Sequence, residues 1–468
     1  MLSKKLALEV INTATSTGAD FAEIFFEDKF SKSLSVENGK VDSITNGTTF
    51  GVGLRLLNKF RSVYGYTNDI SRKSLLKLAS DLAASFNEAR SVEEIVSFKK
   101  SRIKNIFKVE RPYSEVPTSE IVSSLKEWNS IVLNHDKRIV RCVTNFNFNT
   151  QNVTIFNSKG QVINTVRNYG RLAIMSIASD NGKLETRFDG PGTQAGWEYF
   201  TKTLDVKKLA EENAKKCILM LEAKECPSGK FPVVIGNGWG GVIFHEACGH
   251  QLEATSVAKG LSVFSGKKGE VIANSIVSAY DDGSLSNEWG SNNVDDEGNI
   301  PQNNELIKDG VLTGYLVDDF NGRRMGEKGN GACRRQSYKF EPTSRMSNTY
   351  IANGESTPEE IIANTKLGLY AVSFGGGSVN PATGDFNFGC SEAYIIKEGK
   401  ILCPVRGATL VGNAKDILKH IDMVGNDCAF GQGMCGSSSG SIPVNVGQPT
   451  IRVDEIVVGG RGGSINEF

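Results

Sequence analysis

The distribution of glycine is the feature that most constrains the fold of this 468-residue chain. Residues 1–230 contain 13 glycines, whereas residues 231–468 contain 37. Because glycine weakens helix interiors and favours turns, the second half is expected to consist of short strands joined by tight turns. The first half alternates helical and strand-like segments. We therefore predict an α+β fold, with a mixed α/β domain over residues 1–226 and a glycine-rich, mostly antiparallel β domain over residues 227–468.

Four segments of the first half have apolar residues at helical spacing. They are Ser3–Thr17, Ser71–Phe86, Ser119–His135 and Asp205–Lys224. Strand-like runs lie between the helices, and alternating residues predict a hairpin over residues 153–166. The other predicted strands are Ala22–Phe26, Ser33–Glu37 and Phe50–Leu57. A Cys-Pro-Ser-Gly break at residues 226–229 follows the last helix and places the domain boundary there.

The second half contains two hairpin signals and few helices. Asp309-Gly310 and Glu398-Gly399 each separate two strand-like runs, which is typical of tight β-turns. Short helices are predicted at Phe244–Ala254, Thr357–Asn364 and Asp416–Ile421. Two glycine runs lack the Gly-Lys-Ser/Thr ending of a phosphate loop, so we interpret them as turns or strand ends. They are residues 375–377 and 459–463.

Composition argues against several functional classes. Lys and Arg total 53 and Asp and Glu total 53, so the formal net charge is zero, which disfavours general binding to nucleic acid or to a membrane surface. No run of 18 apolar residues predicts a transmembrane helix, and no secretory signal is evident at the N-terminus. Nine scattered cysteines are not typical of a disulfide scaffold. We therefore expect a cytoplasmic protein whose thiols are mostly free.

Two of the four histidines fall within one short stretch, His245-Glu246-Ala247-Cys248-Gly249-His250. In the shorter motif His-Glu-x-x-His, the histidines lie about 40° apart on a helix and reach one metal, while the glutamate activates water. Here, the longer spacing places His245 and His250 about 140° apart on a regular helix. A π-bulge would return both to one face, and Gly249 lowers the cost of such a distortion. The alternative is an ordinary helix with two hydrogen-bonded histidines.

A catalytic zinc ion needs a third protein ligand in addition to two histidines. Glu253 follows the motif and is a candidate ligand, although a carboxylate that orients an imidazole is the better interpretation. Cys435 is a distant candidate, because the glycines of residues 431–436 allow another element to approach closely. Cys248 lies inside the motif and is expected to point elsewhere if both histidines converge.

The remaining reactive or charged residues have simpler interpretations. A free cysteine usually packs as a small apolar residue, and we expect this of Cys142, Cys217, Cys226 and Cys333. The acidic run Asp295-Asp296-Glu297 is predicted to be a solvated turn. The pairs Arg323-Arg324 and Arg334-Arg335 are expected to form surface salt bridges, with binding of a substrate carboxylate as the alternative.

The histidine motif and several later stretches resemble the TldD/PmbA family, in particular its metal-binding, TldD-like branch. The motif continues as Gln251-Leu252-Glu253, and further stretches match in the same order along most of residues 231–468. They are Thr255–Val257, Ser262–Gly266, Asp281–Gly283, Asp295–Gly298, Gly329–Gly331, Arg334–Tyr338, Arg345–Tyr350, Gly375–Gly377 and Gly431–Thr450. Over residues 1–230 the resemblance rests on general layout. Ala332-Cys333 is an apparent insertion relative to the family pattern.

The resemblance implies a zinc-dependent peptidase. It implies that Zn²⁺ is held by His245, His250 and Cys435, and that Glu246 acts as the general base. It also implies that the substrate is an unfolded or leader-like peptide, which glycine-rich strands could bind by β-sheet pairing. Members without the His-Glu motif serve as partner subunits, so we expect either a homodimer or a heterodimer with such a PmbA/TldE-like chain.

Two other functions stay open at the level of sequence. Zinc could be structural in a non-catalytic interaction or modulator subunit, acting on a partner such as a topoisomerase, as the family's older naming suggests. A structural zinc is usually closed by four protein ligands and has no need of a base such as Glu246. A metal-dependent amidase that acts on a small molecule is the second alternative, and a small closed pocket would favour it.

Overall fold

The computed structural model describes residues 2–380 and 383–468 and shows an α+β fold. The helices are α1 (Lys4–Ala14), α2 (Arg72–Ala83), α3 (Thr118–Leu133), α4 (Val206–Glu222), α5 (Val242–Ala247), α6 (Ala254–Val257), α7 (Asp319–Met325), α8 (Pro358–Ala363) and α9 (Ala414–Ile417). The strands of the first half are β1 (Phe21–Glu37), β2 (Lys40–Asn58), β3 (Arg61–Thr67), β4 (Lys99–Lys100), β5 (Ile139–Asn157), β6 (Gln161–Asp180), β7 (Lys183–Asp189) and β8 (Gly192–Thr193). The later strands are β9 (Lys224–Glu225), β10 (Gly229–Ile235), β11 (Ala279–Asp282), β12 (Asn303–Lys308), β13 (Val311–Leu312), β14 (Cys333–Arg334), β15 (Thr343–Ser344), β16 (Asn348–Ile351), β17 (Leu367–Val379), β18 (Asp385–Lys397), β19 (Lys400–Arg406), β20 (Thr409–Asn413), β21 (Ile421–Val424), β22 (Ala429–Ser437), β23 (Gly440–Gln448) and β24 (Ile451–Gly459).

The first sheet contains β1 to β8. Its order is β3-β2-β1-β5-β6-β4, and β7 and β8 also pair with β6. The prediction of separate strands at residues 22–26 and 33–37 is wrong, because β1 runs through both. Its polar middle pairs with β2 on one side and with β5 on the other, and these two ladders keep the intervening residues extended.

The four predicted helices of the first half are confirmed as α1 to α4. Ser3, Ser71 and Asp205 cap α1, α2 and α4, since each side chain accepts a hydrogen bond from a backbone N–H in the first turn. Helices α1 and α2 bury apolar residues against the first sheet, and α3 and α4 bury theirs in a second cluster that includes Trp128 and Phe146. These helices therefore cover one face of the first sheet.

The two faces of β1 contact different parts of the molecule. Successive residues of a strand point to opposite faces. Ile24 and Phe26 belong to the apolar cluster with α1 and α2. Phe25 points the other way and packs with Val294 and Tyr338 from the second half. Both faces of this strand are covered, which explains the continuous run of buried residues at its start.

The second sheet closes on itself. Its order is β17-β10-β24-β20-β18-β19-β9, with β21 paired to β24, and it closes because β17 pairs with both β10 and β18. The glycine run 375–377 lies inside β17, so its interpretation as a turn or strand end is wrong. The pairing of β17 with β18 shifts register around these glycines, which explains why residues without side chains occur there. The run 459–463 does begin at the end of β24, as predicted.

Both predicted hairpin turns are confirmed. Asp309-Gly310 connects β12 and β13, and Glu398-Gly399 connects β18 and β19. All four residues have positive φ angles, as a two-residue turn between twisted strands requires. Two short predicted helices also occur, as α8 and, displaced toward the N-terminus, as α9.

The third sheet carries one part of the predicted metal site. Its order is β13-β12-β11-β16-β23-β22, so that β22 lies at an edge. Helix α5 packs against β16 and β23 of this sheet.

No helix of residues 2–380 and 383–468 combines the length and the apolar character needed to cross a membrane. The domain boundary between residues 226 and 227 stays a prediction.

Candidate metal centre

The helix predicted over Phe244–Ala254 is broken at Cys248. Helix α5 ends at Ala247, Cys248 has φ −117° and ψ −45°, and residues 249–252 form a turn of 3₁₀ helix. The single long helix was therefore a wrong prediction. The extra residue of the motif is taken up by this break and not by the π-bulge that we expected.

Gly249 permits a close approach at the helix break. A β-carbon at Gly249 would lie 2.1 Å from the sulfur of Met346, which packs directly on this backbone. Because Gly249 has no side chain, the chain can turn at this point while it packs against Met346, which lies just before β16. This change of direction brings His250 back toward His245.

The two histidines and Cys435 converge on one point. His245 Nε2 and His250 Nε2 each lie 3.3 Å from Cys435 Sγ, and the three atoms lie within 4.8 Å of one another. The two imidazole rings are 5.2 Å apart and nearly perpendicular. His245 and Cys435 are buried, with 2% and 5% of their surfaces exposed. Two short segments separated by 185 residues of sequence therefore present three donor atoms to a common position.

The donor set fits zinc. Two imidazole nitrogens and one thiolate sulfur are ligands that Zn²⁺ prefers, at bond lengths of about 2.0–2.1 Å to nitrogen and about 2.3 Å to sulfur. In a tetrahedral centre with those bond lengths, nitrogen and sulfur are about 3.5 Å apart. The observed separation of 3.3 Å is close to that value.

The electrostatics of the site also suit a cation. Burial by itself would raise the pKa of the Cys435 thiol, but charge and hydrogen bonding from His245 and His250 lower this pKa to about 3. Burial opposes protonation of His250, yet Glu253 and the Cys435 sulfur raise its pKa well above the ordinary value. A thiol with so low a pKa is present as the thiolate, the form that binds a metal, whereas His250 has to release its proton when a metal binds.

Glu253 contacts the face of His250 that points away from the cluster. Glu253 Oε1 is 3.3 Å from His250 Nδ1, whereas the other ring nitrogen faces Cys435. This contact suits the second of the two roles considered for Glu253, that of a carboxylate that orients the imidazole. Arg345 lies 3.8 Å from the same oxygen and donates a 2.6 Å hydrogen bond to the Cys435 carbonyl. It thus connects the carboxylate with the strand that carries the thiol.

Arg345 is the residue that sequence reasoning missed. It lies in the matched stretch Arg345–Tyr350, but the chain itself contains no local pattern that assigns it to the metal site. The side chain is completely buried and also binds Ser439 Oγ and the Gly440 carbonyl at the tip of the β22–β23 hairpin. The only signal was a charged residue among small polar residues and one methionine, a pattern that is common on protein surfaces.

Glu246 lies on the accessible side of the cluster. Its side chain is 30% exposed, and its Oε2 is 3.8 Å from His250 Nε2. The neighbouring Cys248 points away, with its sulfur 3.9 Å from the Ala414 carbonyl, as the sequence predicted. The motif therefore directs two imidazoles and one carboxylate toward the same region and removes its cysteine from it.

Two predictions about charged residues are wrong. Asp295-Asp296-Glu297 is buried, with Asp296 1% exposed, and is not a solvated turn. Arg334 and Arg335 are also buried, so that they form no surface salt bridges. The reason is that this part of the second half lies against the first sheet, where Arg335 and Glu297 pair with charged residues of β1 and β2. Arg323, in contrast, does pair with Asp20 near the surface.

Three of the four predicted cysteine environments are confirmed, and all nine cysteines of the chain are free. Cys142, Cys217 and Cys226 are buried in apolar clusters. Cys333 is also buried, but it lies beside the charged network that contains Glu297. Burial raises the pKa of Cys142 and Cys226 to about 12. Cys435 differs from Cys142 and Cys226 through its two histidine neighbours, which lower its pKa.

Known families match nearly the whole chain. Residues 22–86 match domain 1 of the PmbA/TldA metallopeptidases, residues 111–221 match their central domain, and residues 228–460 match their C-terminal domain. The chain belongs to the PmbA/TldD family. The resemblance deduced from the histidine motif is thereby confirmed.

Several relatives are named for a metal-dependent protease activity. A metalloprotease TldD homolog of Haemophilus influenzae is 34% identical over 98% of this chain and 97% of its own length. One of Buchnera aphidicola is 32% identical over 94% of this chain and 93% of its own length. A zinc metalloprotease TldD homolog of Saccharolobus solfataricus is 28% identical over 62% of this chain and 64% of its own length.

Solved structures of lower identity share the fold. A proposed modulator of a DNA gyrase from Thermotoga maritima has a TM-score of 0.75 at 22% identity, covering 94% of this chain and 96% of its own. TldE from Thermococcus kodakarensis has a TM-score of 0.76 at 18% identity, covering 97% and 100%. At these identities the comparison establishes a common architecture.

Proposed function

We propose that this protein is a zinc-dependent peptidase that hydrolyses unfolded or extended peptides. The observation that carries the proposal is the convergence of His245, His250 and Cys435 beside the accessible carboxylate of Glu246. The metalloprotease names of the relatives support the same reaction class.

Three side chains would hold the metal. His245 and His250 would bind through Nε2 and Cys435 through its thiolate, since these are the atoms that face one another. Zinc, when bound, supplies a Lewis acid that polarises a carbonyl group and makes water more acidic. Glu253 holds His250 in the orientation that directs Nε2 toward Cys435.

Glu246 is proposed as the general base. Its carboxylate is partly exposed, so it can reach a water molecule that enters from solvent. It accepts the proton of the attacking water and returns this proton to the amine that leaves the cleaved peptide bond. A group with both tasks must lie within hydrogen-bond reach of the reacting atoms, which its position beside His250 allows.

An extended peptide is the proposed substrate. Gly436 follows Cys435 directly, and a β-carbon there would have no neighbour within 4 Å. The chain beside the thiol is therefore open, and an extended backbone can approach it. Upstream in the same strand, the carbonyls of Gln432 and Gly433 already accept hydrogen bonds from Arg171 and Trp289. The Cys435 carbonyl likewise accepts from Arg345, so the open position beside the thiol is Gly436.

We further propose a cytoplasmic protein that assembles as a dimer, either with a second copy or with a related chain that lacks the His-Glu motif. Nine free cysteines suit a reducing compartment. A TldE structure with the same architecture supports the idea of a partner of this fold. Light scattering of the purified protein, alone and mixed with such a partner, would measure the assembly.

A non-catalytic, zinc-stabilised modulator subunit is the alternative. A structural zinc is normally enclosed by four protein ligands. The cluster found among the described residues contains three donors, and the next side chain on its open side is a carboxylate suited to act as a base. This arrangement favours the peptidase.

The experiment that tests the proposal is the substitution Glu246→Gln. We expect this variant to bind one zinc per chain, as the wild type does, and to lose at least about 100-fold in kcat on an unstructured peptide. Zinc content and peptide cleavage, followed by mass spectrometry, provide the two readouts. Glu355→Gln, which changes an exposed glutamate of the same half, is the matched control.

Cleavage by Glu246→Gln at the wild-type rate would show that another group is the base. Zinc binding without cleavage by the wild-type protein, also in the presence of a motif-lacking partner, would support the modulator subunit instead.

A further inference from the structure

A second polar pocket lies beside β22, on the face opposite the metal cluster. Met434 lines this pocket, whereas the adjacent Cys435 points toward the histidines, because neighbouring residues of a strand face opposite sides. The cavity has a volume of about 210 Å³. Met434, Ser441 and Gln336 are exposed at its mouth.

The floor of the pocket is cationic. Three buried arginines line it, namely Arg167, Arg334 and Arg335. Two of them have carboxylate partners: Arg167 lies 2.8 Å from Asp296, and Arg335 forms an ion pair with Glu23. These partners come from the buried charge network between the two halves of the chain.

Arg334 differs from its neighbours because it has no such partner. It is 4% exposed and donates one 2.7 Å hydrogen bond to the Met346 carbonyl, and no ion pair joins it to a carboxylate in the described parts of the chain. Burial, together with the like charges of Arg167 and Arg345, lowers its pKa. A buried guanidinium in this situation is stabilised by any anion that enters the cavity.

A lysine adds a further cation to the pocket lining. Lys29 is 21% exposed at its side chain and lies 3.9 Å from Glu27, which is a longer distance than in the buried pairs. Glu27 itself accepts hydrogen bonds from Gln151 and from the Tyr338 backbone N–H. Lys29 can therefore turn toward an anion without leaving Glu27 unpaired.

We propose that this pocket binds a carboxylate group of the peptide substrate, with Arg334 as its main partner and Lys29 as a secondary one. The planar fork of an arginine suits a carboxylate, which can accept two parallel hydrogen bonds. This proposal rests on the peptidase function and deepens it. A carboxylate bound there fixes the position of the peptide along β22, which backbone pairing alone does not do.

The pocket is connected to the metal site by a short series of contacts. The carbonyl that accepts from Arg334 belongs to Met346, whose sulfur packs on Gly249 of the metal motif. One strand, β22, forms part of the pocket through Met434 and of the metal site through Cys435. In an extended peptide paired with β22, successive side chains would point to the two faces of the strand, one toward each site.

Equilibrium binding to the zinc-loaded Glu246→Gln variant provides the first test, because it does not depend on turnover. The probes are two pairs of fluorescent peptides. One pair differs in a free or amidated C-terminus, and the other differs in an internal Asp or Asn. We expect the carboxylate member of at least one pair to bind about 10-fold to 100-fold more tightly than its amide, as a charged hydrogen-bond pair allows. Which pair responds identifies the source of the carboxylate.

Substitution of the pocket residues provides the second test. In the Glu246→Gln background, Arg334→Gln is expected to abolish the preference for the carboxylate, and Lys29→Gln to reduce it about threefold. Arg171→Gln is the matched control, since Arg171 also donates to backbone carbonyls, including that of Gln432 in β22, but does not line this pocket. This control should retain the preference. If Arg334→Gln does not fold, substitution of the partly exposed Lys29 still tests the proposal.

Equal binding of both members of both pairs would overturn the pocket, as would a preference that survives both pocket substitutions. Hydrolysis by the wild type with no such preference would overturn the pocket and leave the peptidase standing. A carboxylate preference without hydrolysis would support the pocket and count against the peptidase function.

Discussion

At the scale of residues, the site consists of ligand atoms and of side chains that hold them in place. His250 presents Nε2 to Cys435 because Glu253 contacts its other ring nitrogen. Arg345 lies next to Glu253 and holds the backbone of Cys435, so that one buried cation links both segments of the site. The charge of Glu253 should therefore affect metal affinity without being required for metal binding.

The substitution Glu253→Gln tests this positioning role. We expect the zinc affinity to fall by about 10-fold to 100-fold, because loss of such a partner leaves the imidazole less basic and less well oriented. At saturating zinc, one ion per chain should still bind. Competition with a chromogenic chelator measures the affinity, and Glu270→Gln, an exposed change in the same half, is the control. Failure to bind zinc at any concentration would show instead that Glu253 is a ligand.

At the scale of elements, the short helix α5 and its break determine the geometry of the motif. Sequence periodicity predicted one helix here because the apolar residues of the segment recur at helical spacing. A straight helix would have separated the two histidines. The break at Cys248 depends on a contact with Met346, nearly one hundred residues later in the chain. A tertiary contact of this kind leaves no trace in local spacing, whereas caps and hairpin turns depend on local residues and were predictable.

Gly241, which directly precedes α5, lies so close to β23 that adding a single methyl group tests this contact. A β-carbon at Gly241 would lie 2.5–2.6 Å from backbone atoms of Gly447. We expect Gly241→Ala to lower the free energy of unfolding by about 1–3 kcal/mol, since the helix must shift from the strand. Zinc affinity should fall as well, because α5 carries His245. Urea unfolding measures the first effect, and Gly47→Ala, with no neighbour within 4 Å, is the control. Unchanged stability would show that this contact yields easily.

At the scale of the whole molecule, a buried charge network joins the two halves of the chain. Arg55 of β2 pairs with Glu297 at 2.7 Å and with Glu23 of β1 at 3.2 Å. Sequence analysis placed Asp295-Asp296-Glu297 in solvent because charged runs are usually exposed. Their burial follows from the covering of the first sheet by the second half, which single-sequence patterns do not encode. Local spacing left Cys435 as one candidate ligand among others, because it does not encode which distant segments meet in the fold. Only the family resemblance assigned Cys435 to the metal.

The network should make stability depend on pH. Burial raises the pKa of Glu297 to about 7, although Arg55 opposes this change. The folded state therefore binds more protons than the unfolded state between about pH 4.5 and pH 7, and stability decreases as the pH rises through this range. Relative to Glu297→Gln, the wild type should lose roughly 1–3 kcal/mol between pH 5 and pH 8. Urea unfolding at several pH values measures the difference, and a relative gain with rising pH would contradict this account.

The most direct test of the central claim is the zinc content of the wild-type protein and of Cys435→Ala, with peptide cleavage measured on the same samples. Cys248→Ala is the matched control, because Cys248 lies inside the motif and points away from the cluster. We expect one zinc per chain and peptide cleavage in the wild type and in the control. In Cys435→Ala we expect both to be lost. Full zinc retention by Cys435→Ala would contradict the assignment of this thiolate as the third ligand.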